Sequence, residues 1–312
     1  MPKRRVTTFD RPFPALSAAQ RFHLEVNGYV VVENTLTADE VKALRHALYQ
    51  LRDKIMQLDD PSGEGPRVGG AFVEMQKPGH QFLANIIEAA PAITAYATHP
   101  RLVSMAEELM GGEARIVEMN AHINSRVAAA DDSYPPGRYG FHRGIDIPFG
   151  AHTNAGLFHC NFVKTLTNLT DLGADDGGTV VIAGSHKVDV PAATLIELAH
   201  DDPSLIHQVV APAGSTLLFS ETLIHATGRI ASDNERAIII TGYGASMFPY
   251  WDYGSLSDEF RTQVPEQLKT LLEGQAHWGR APRYRSLEEP ADERPFALGE
   301  WADRPPRKKE GE

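Results

Sequence analysis

A single cysteine, Cys160, leaves no partner for an internal disulfide and rules out a cysteine-based zinc knuckle, which fits a reducing cytoplasm. Long apolar runs are missing too, since no window approaches the roughly 20 residues of a membrane span. The first residues, Met1-Pro2-Lys3-Arg4-Arg5, lead into polar residues and then Pro12 and Pro14, so no secretory signal is expected. Basic charge is also in deficit: 30 Lys and Arg stand against 41 Asp and Glu, a formal charge of -11. Such a chain has no positive field for phosphate backbones, and its expected partner is a small molecule rather than nucleic acid or membrane. Oligomeric state is not legible.

What is present is an ordinary globular composition, 42% hydrophobic and 23% charged, with thirteen histidines that leave ample material for a His-based metal site. Ser17 to Val26 reads as a short helix stopped by Asn27-Gly28, followed by an apolar, β-branched strand from Tyr29 to Val32. Thr37-Ala38-Asp39-Glu40 forms a capping box, after which Val41, Leu44, Leu48, Leu51 and Ile55 recur at helical spacing. Asp59 to Gly70 reads as loop, and Gln81 to Ala89 and Pro100 to Met110 as two further helices, the second stopped by Gly111-Gly112.

From Arg115 the texture changes to short apolar runs broken by Gly, Pro, Asp and Asn, the pattern of an antiparallel double sheet or barrel. Strands are expected at Ile116 to Arg126, Leu157 to Leu169, Thr179 to Ala183, Ile206 to Ala211, Ser215 to Ser220 and Ala237 to Ala245. The Pro- and Gly-rich segment from Val127 to Asn154 is long enough to be a functional loop or lid. A helical stretch around Leu256 to Leu272 precedes a Pro-, Arg- and Glu-rich tail. The expectation is one domain over 1–312. Helices and first strands fill 1–112, a β core 113–250, a helical segment 251–280 and a flexible tail 281–312.

Four pieces of the second half stand out: Phe141-His142-Arg143-Gly144-Ile145-Asp146; Asp176-Gly177-Gly178 running into Ala183-Gly184-Ser185-His186-Lys187; His225; and Arg236. Each alone is weak. Together, in this order and spacing, they resemble the phytanoyl-CoA dioxygenase family, with its His-X-Asp motif, its Pro-Gly-Ser-His-Lys-like signature, a distal histidine and an arginine eleven residues on. Asn27-Gly28-Tyr29-Val30-Val31-Val32 with Leu36 to Glu40 looks like the family's opening, so the resemblance runs from about Leu16 to Tyr250.

The resemblance implies a mainly β fold with flanking helices around a double-stranded β-helix, the jelly-roll or cupin-like core. It implies an Fe(II)- and 2-oxoglutarate-dependent oxygenase that uses O₂, hydroxylates a C–H bond of a small molecule and releases succinate and CO₂. His142 and His225 are then iron ligands, and Arg236 clamps the far carboxylate of 2-oxoglutarate, for which a guanidinium offers two parallel hydrogen bonds. Two imidazoles and a carboxylate on one face of iron leave positions open for co-substrate and O₂.

The chain departs from the motif where it matters: Gly144 stands in place of the aspartate, and the nearest carboxylate is Asp146. Three readings stay open. Asp146 reaches the iron through a turned loop; no carboxylate binds, as in related iron halogenases with a small residue there; or Glu221, sharing strand parity with His225, supplies the oxygen. The alternation of Asn120, His122 and Asn124 suits hydrogen bonding to 2-oxoglutarate or substrate if their face is interior, and a solvent-facing strand otherwise.

Of the remaining histidines, His159 reads as a polar core residue or a barrel-facing group, His186 as part of the signature turn, and His152 as an exposed loop residue. Arg143 faces solvent or an acidic substrate, and Phe248, Tyr250, Trp251 and Tyr253 are packing aromatics or a lid. Two rivals remain. A cupin-like Zn or Mn enzyme is disfavoured because no His-X-His occurs, and a non-catalytic binding protein on the same fold would have no need of the arginine clamp.

Overall fold

The structure is a computed structural model describing residues 11–59, 65–274 and 284–294. Ser17 and Thr37 each close a reciprocal capping box, opening α1 (Ala18–Asn27) and α2 (Ala38–Met56), and Gly28, left-handed at φ 83°, turns the chain from α1 into β1 (Tyr29–Val32). Then come β2 (Arg67–Val68), β3 (Ala71–Lys77), β4 (His80–Ala84), α3 (Pro91–Ala97), α4 (Pro100–Met110) and β5 (Ala114–Asn124). The long connection carries α5 (Ile147–Gly150) and β6 (Ala151–Asn154), which pairs with β7 (Leu157–Cys160). The remainder is β8 (Phe162–Asn168), β9 (Val180–Ile182), α6 (Ala192–Asp201), β10 (Ile206–Gln208), β11 (Thr216–Ser220), β12 (His225–Ala226), β13 (Arg236–Ala245), α7 (Asp258–Gln263) and α8 (Glu266–Leu272).

Eight strands form one antiparallel sheet in the order β1-β11-β8-β13-β5-β4-β3-β2, and β10-β9-β12 form a smaller one. The sheets stay separate, so the jelly roll is an open sandwich rather than a closed barrel. Strand alternation divides the large sheet. Ala121, Ile123, Ala237, Ile239 and Tyr243 face outward into a core shared with Leu44, Leu48 and Leu51 of α2 and Leu102, Met105 and Leu109 of α4. Each fully buried Leu, Ile or Met side chain among these contributes about 2 kcal/mol. Residues of the opposite parity, Leu166, Leu217, Phe219 and Ile238, face inward and pack with Val181 of β9, Val209 and Leu223.

Four expectations change. Gln81 to Ala89 is not a helix: Gln81, Phe82 and Leu83 pair with Ile123, His122 and Ala121 of β5, and Asn85 at φ 55° turns the chain into a short 3₁₀ turn. Sheet pairing overrides local propensity there. The Leu157 to Leu169 strand breaks at Asn161, and the last helix breaks at Pro265, which precedes α8. Residues 284–294, expected in a flexible tail, are pinned: Arg285 and Glu108 form a buried ion pair at 3.0 Å, and the Asp292 amide donates to the Pro14 carbonyl at 2.7 Å. Residues 281–283 and 295–312 of that tail lie outside the described residues, as does the side chain of Tyr253. Among the described residues no helix is long and apolar enough to cross a membrane.

Candidate active site

His142, within the long connection, and His225, which opens β12, exchange both backbone hydrogen bonds at 2.9 Å as an antiparallel pair. Their ring centroids lie 4.3 Å apart. Each Nδ1 faces a carbonyl oxygen two residues upstream, His142 that of Gly140 at 3.2 Å and His225 that of Leu223 at 3.0 Å. A carbonyl only accepts, so Nδ1 carries a hydrogen in both rings, which leaves Nε2 as the ring nitrogen not engaged by the protein. Burial, followed by the neighbouring His142, pushes His225 down to about 3, holding it as the neutral imidazole that binds metals.

The signature turn braces this pair. Ser185 Oγ accepts from the Ile224 amide at 2.9 Å, and Thr222 Oγ1 donates to the His186 carbonyl at 2.8 Å, fixing the segment that leads into His225. His186 is fully buried against the Phe158 ring, centroids 4.7 Å apart, and is part of the turn. It also explains Gly28, where a Cβ would come within 2.6 Å of the His186 ring.

Gly144 lies opposite Glu221. The amides of Gly144 and Ile145 donate to the Glu221 carbonyl at 2.9 and 3.2 Å, and a Cβ at 144 would overlap Glu221 Oε2 and stand 2.6 Å from its Cδ. The Glu221 carboxylate thus fills the space that a side chain at 144 would enter. Burial raises its pKa, opposed by Lys164 and by His142. Asp146 is exposed at the N-terminus of α5, where its charge acts on Arg143. Among the described residues no three His, Cys, Asp or Glu side chains stand close enough together to hold a metal ion, so neither carboxylate completes a set with the histidines in this arrangement.

Arg236 begins β13 on the inward parity and is 2% exposed. Nη2 donates to Thr179 Oγ1 at 3.1 Å, while Nε and Nη1 have no protein partner. Burial pushes it down to about 10, with no carboxylate beside it to offset that cost. A buried cation with two open donors fits an anionic ligand.

Asn120, His122 and Asn124 share this inward face, in register with Ile240, Ile238 and Arg236. His122 Nδ1 and Asn124 Oδ1 are buried without partners, and burial, then Arg236, holds His122 neutral. Asn120 is engaged by the protein instead: its Oδ1 accepts from the Asn85 amide at 3.0 Å and its Nδ2 donates to Glu118 at 2.8 Å.

Other candidates fall elsewhere. His159, 2% exposed, bonds the Leu109 carbonyl at 3.1 Å as a polar core residue, stacked on exposed His152 of β6. Arg143 donates to the Ser185 carbonyl. Tyr250 is buried, its hydroxyl donating to Asn85 at 2.6 Å, whereas Trp251 is exposed against Phe162. The sequence reading missed Thr179, the protein partner of Arg236, and the Glu118–Lys164 pair. Strand parity was the available signal, since Lys164 alternates with Leu166 as His122 does with Asn124.

Residues 24–238 match the family described as phytanoyl-CoA dioxygenase (PhyH). Ectoine dioxygenase of Halomonas elongata is 26% identical over 245 residues, covering 71% of this chain and 68% of that protein. Among solved structures, HygX from Streptomyces hygroscopicus with nickel and 2-oxoglutarate bound has a TM-score of 0.59 at 20% identity, covering 75% of this chain and 89% of HygX. The epimerase SnoN from nogalamycin biosynthesis has a TM-score of 0.53 at 21% identity, covering 73% and 83%. These likenesses carry the jelly-roll fold, and the match over most of the chain carries the rest: the protein belongs to the phytanoyl-CoA dioxygenase family, 2-oxoglutarate-dependent dioxygenases that use Fe(II) and O₂.

Proposed function

We propose that the protein hydroxylates a C–H bond of a small molecule, with His142 and His225 holding iron through Nε2, Glu221 supplying the carboxylate ligand, and Arg236 holding the far carboxylate of 2-oxoglutarate. The observation that carries this reading is the buried guanidinium of Arg236 with two open donors, on the same inward face as the partnerless His122 and Asn124. Bound iron with 2-oxoglutarate supplies the oxidation, coupled to release of succinate and CO₂.

The residues of the chain bind and orient. Arg236, with Thr179 fixing one edge of its fork, offers a rigid bidentate site, and His122 and Asn124 offer hydrogen bonds beside it. The two Nδ1–H···O=C bonds hold the imidazole rings with Nε2 free. The apolar inward residues Phe219, Leu217 and Ile238 limit water around the site.

Glu221 is preferred to Asp146 because its carboxylate already stands where the motif's missing aspartate would project. The same fact disfavours a halogenase-like centre, since the gap at Gly144 is filled. Relatives named for ectoine and crystallised with hygromycin B support a small-molecule substrate. The lone cysteine, Cys160, is buried and free, in keeping with a cytoplasmic setting.

The test is a small-molecule panel incubated with enzyme, Fe(II), 2-oxoglutarate and O₂. A substrate gaining one oxygen atom for each succinate formed supports the reading; a chlorinated product in the presence of chloride contradicts it.

A further inference from the structure

Glu118, Gly242 and Lys164 occupy one cross-strand row on the inward face, Glu118 on β5 and Lys164 on β8 with Gly242 of β13 between them. Adjacent strands lie about 4.8 Å apart, so the outer two backbones are separated by roughly 10 Å. Their side chains nevertheless meet: Lys164 Nζ pairs with Glu118 Oε1. Gly242 makes this possible, because a Cβ there would come within 2.7 Å of Glu118 Cγ. Glu118 is itself anchored by Asn120 Nδ2 at 2.8 Å. The same Lys164 Nζ lies 3.8 Å from Glu221 Oε1. Two glycines therefore open space for two carboxylates, Gly242 for Glu118 and Gly144 for Glu221, and Lys164 stands between the two acids.

We propose that Lys164, tethered across Gly242 by Glu118, is a positioning residue that orients the Glu221 carboxylate for metal binding; this rests on the assignment of Glu221 as the third ligand. A carboxylate buried at 3% exposure needs a polar partner to hold it in one orientation, and Lys164 Nζ is 3.8 Å from it. In the ordinary motif a short aspartate is placed by its own backbone. Here the carboxylate reaches the site from another strand on a longer side chain with more rotamers, so an external constraint replaces the local one.

The test is Fe(II) binding to the full-length apoprotein, measured anaerobically by calorimetry, with the ligand-field spectrum of the Co(II) form as a second readout. Lys164→Met is expected to weaken Fe(II) binding about ten- to hundredfold and to change the Co(II) spectrum, with Lys164→Arg restoring most of both. In a cycle with Glu221→Ala, the double variant is expected to bind no more weakly than Glu221→Ala alone, because Lys164 acts through that carboxylate. If Lys164→Met fails to fold, Glu118→Gln/Lys164→Met, which leaves no uncompensated acid at 118, takes its place in the cycle. Native-like binding by the Lys164 variant, or additive losses in the cycle, overturns the inference. Native-like binding by Glu221→Ala overturns the ligand assignment itself, a result distinct from loss of Lys164's role alone.

Discussion

The Glu221 carboxylate fills the volume that a side chain on Gly144 would occupy, so the two positions are complementary across the His142–His225 strand pair. Gly144→Ala is therefore expected to displace the carboxylate and weaken Fe(II) binding about tenfold or more. Gly144→Asp/Glu221→Ala returns the acid to residue 144 and empties the space opposite. It should bind Fe(II) more tightly than Glu221→Ala alone in anaerobic titration.

Arg236 makes one hydrogen bond within the protein and leaves two nitrogens open. Arg236→Ala should weaken 2-oxoglutarate binding by at least about thirtyfold, roughly 2 kcal/mol, while Fe(II) binding is retained. Arg236→Lys keeps the charge but not the planar fork, and its 2-oxoglutarate affinity should fall between the two. Titration of the Fe(II) form with 2-oxoglutarate reads both.

The hydroxyl of Ser185 is the acceptor for the buried amide of Ile224. Ser185→Ala leaves that amide unpaired and should cost about 1–3 kcal/mol in urea unfolding. Because the same segment carries Glu221 and His225, Fe(II) affinity should fall with it.

Much of this was legible in the sequence, for identifiable reasons. The capping box at Thr37 and the glycine stops at 28 and 111 are local signals, and α1, α2 and α4 follow them. His225 and Arg236 were singled out by the family resemblance, and the structure sets His225 beside His142 and buries Arg236 on the inward face. β4 was not: Gln81-Phe82-Leu83-Ala84 becomes a strand only because β5 lies beside it. Nor could the sequence choose among carboxylates. Asp146 is nearer to His142 along the chain, whereas Glu221 is brought opposite Gly144 by a strand pairing between residues 142 and 225. For the Glu118–Lys164 pair parity gave the face but not the neighbour, since the pairing depends on which strand lies between the two residues.

His99, His159 and His186 are each pushed down to about 4, burial being the largest cause in every case. An unfolded histidine takes a proton near pH 6.5, so between pH 6.5 and 4 the unfolded chain binds protons that the native state refuses. Stability is therefore full above pH 6.5 and falls as pH drops toward 4, by up to about 3 kcal/mol for each group. Urea midpoints at pH 7.5, 6 and 5 should decline in that order, and His99→Leu should flatten the decline.

The most direct test of the central claim is an anaerobic titration of the apoprotein with Fe(II) and then 2-oxoglutarate, following the visible charge-transfer band of the chelated co-substrate. The account predicts a band in the native protein and in Asp146→Ala, its loss in His225→Ala, and its weakening or loss in Glu221→Ala. A folded native protein that gives no band, or a band unchanged in both His225→Ala and Glu221→Ala, would contradict it.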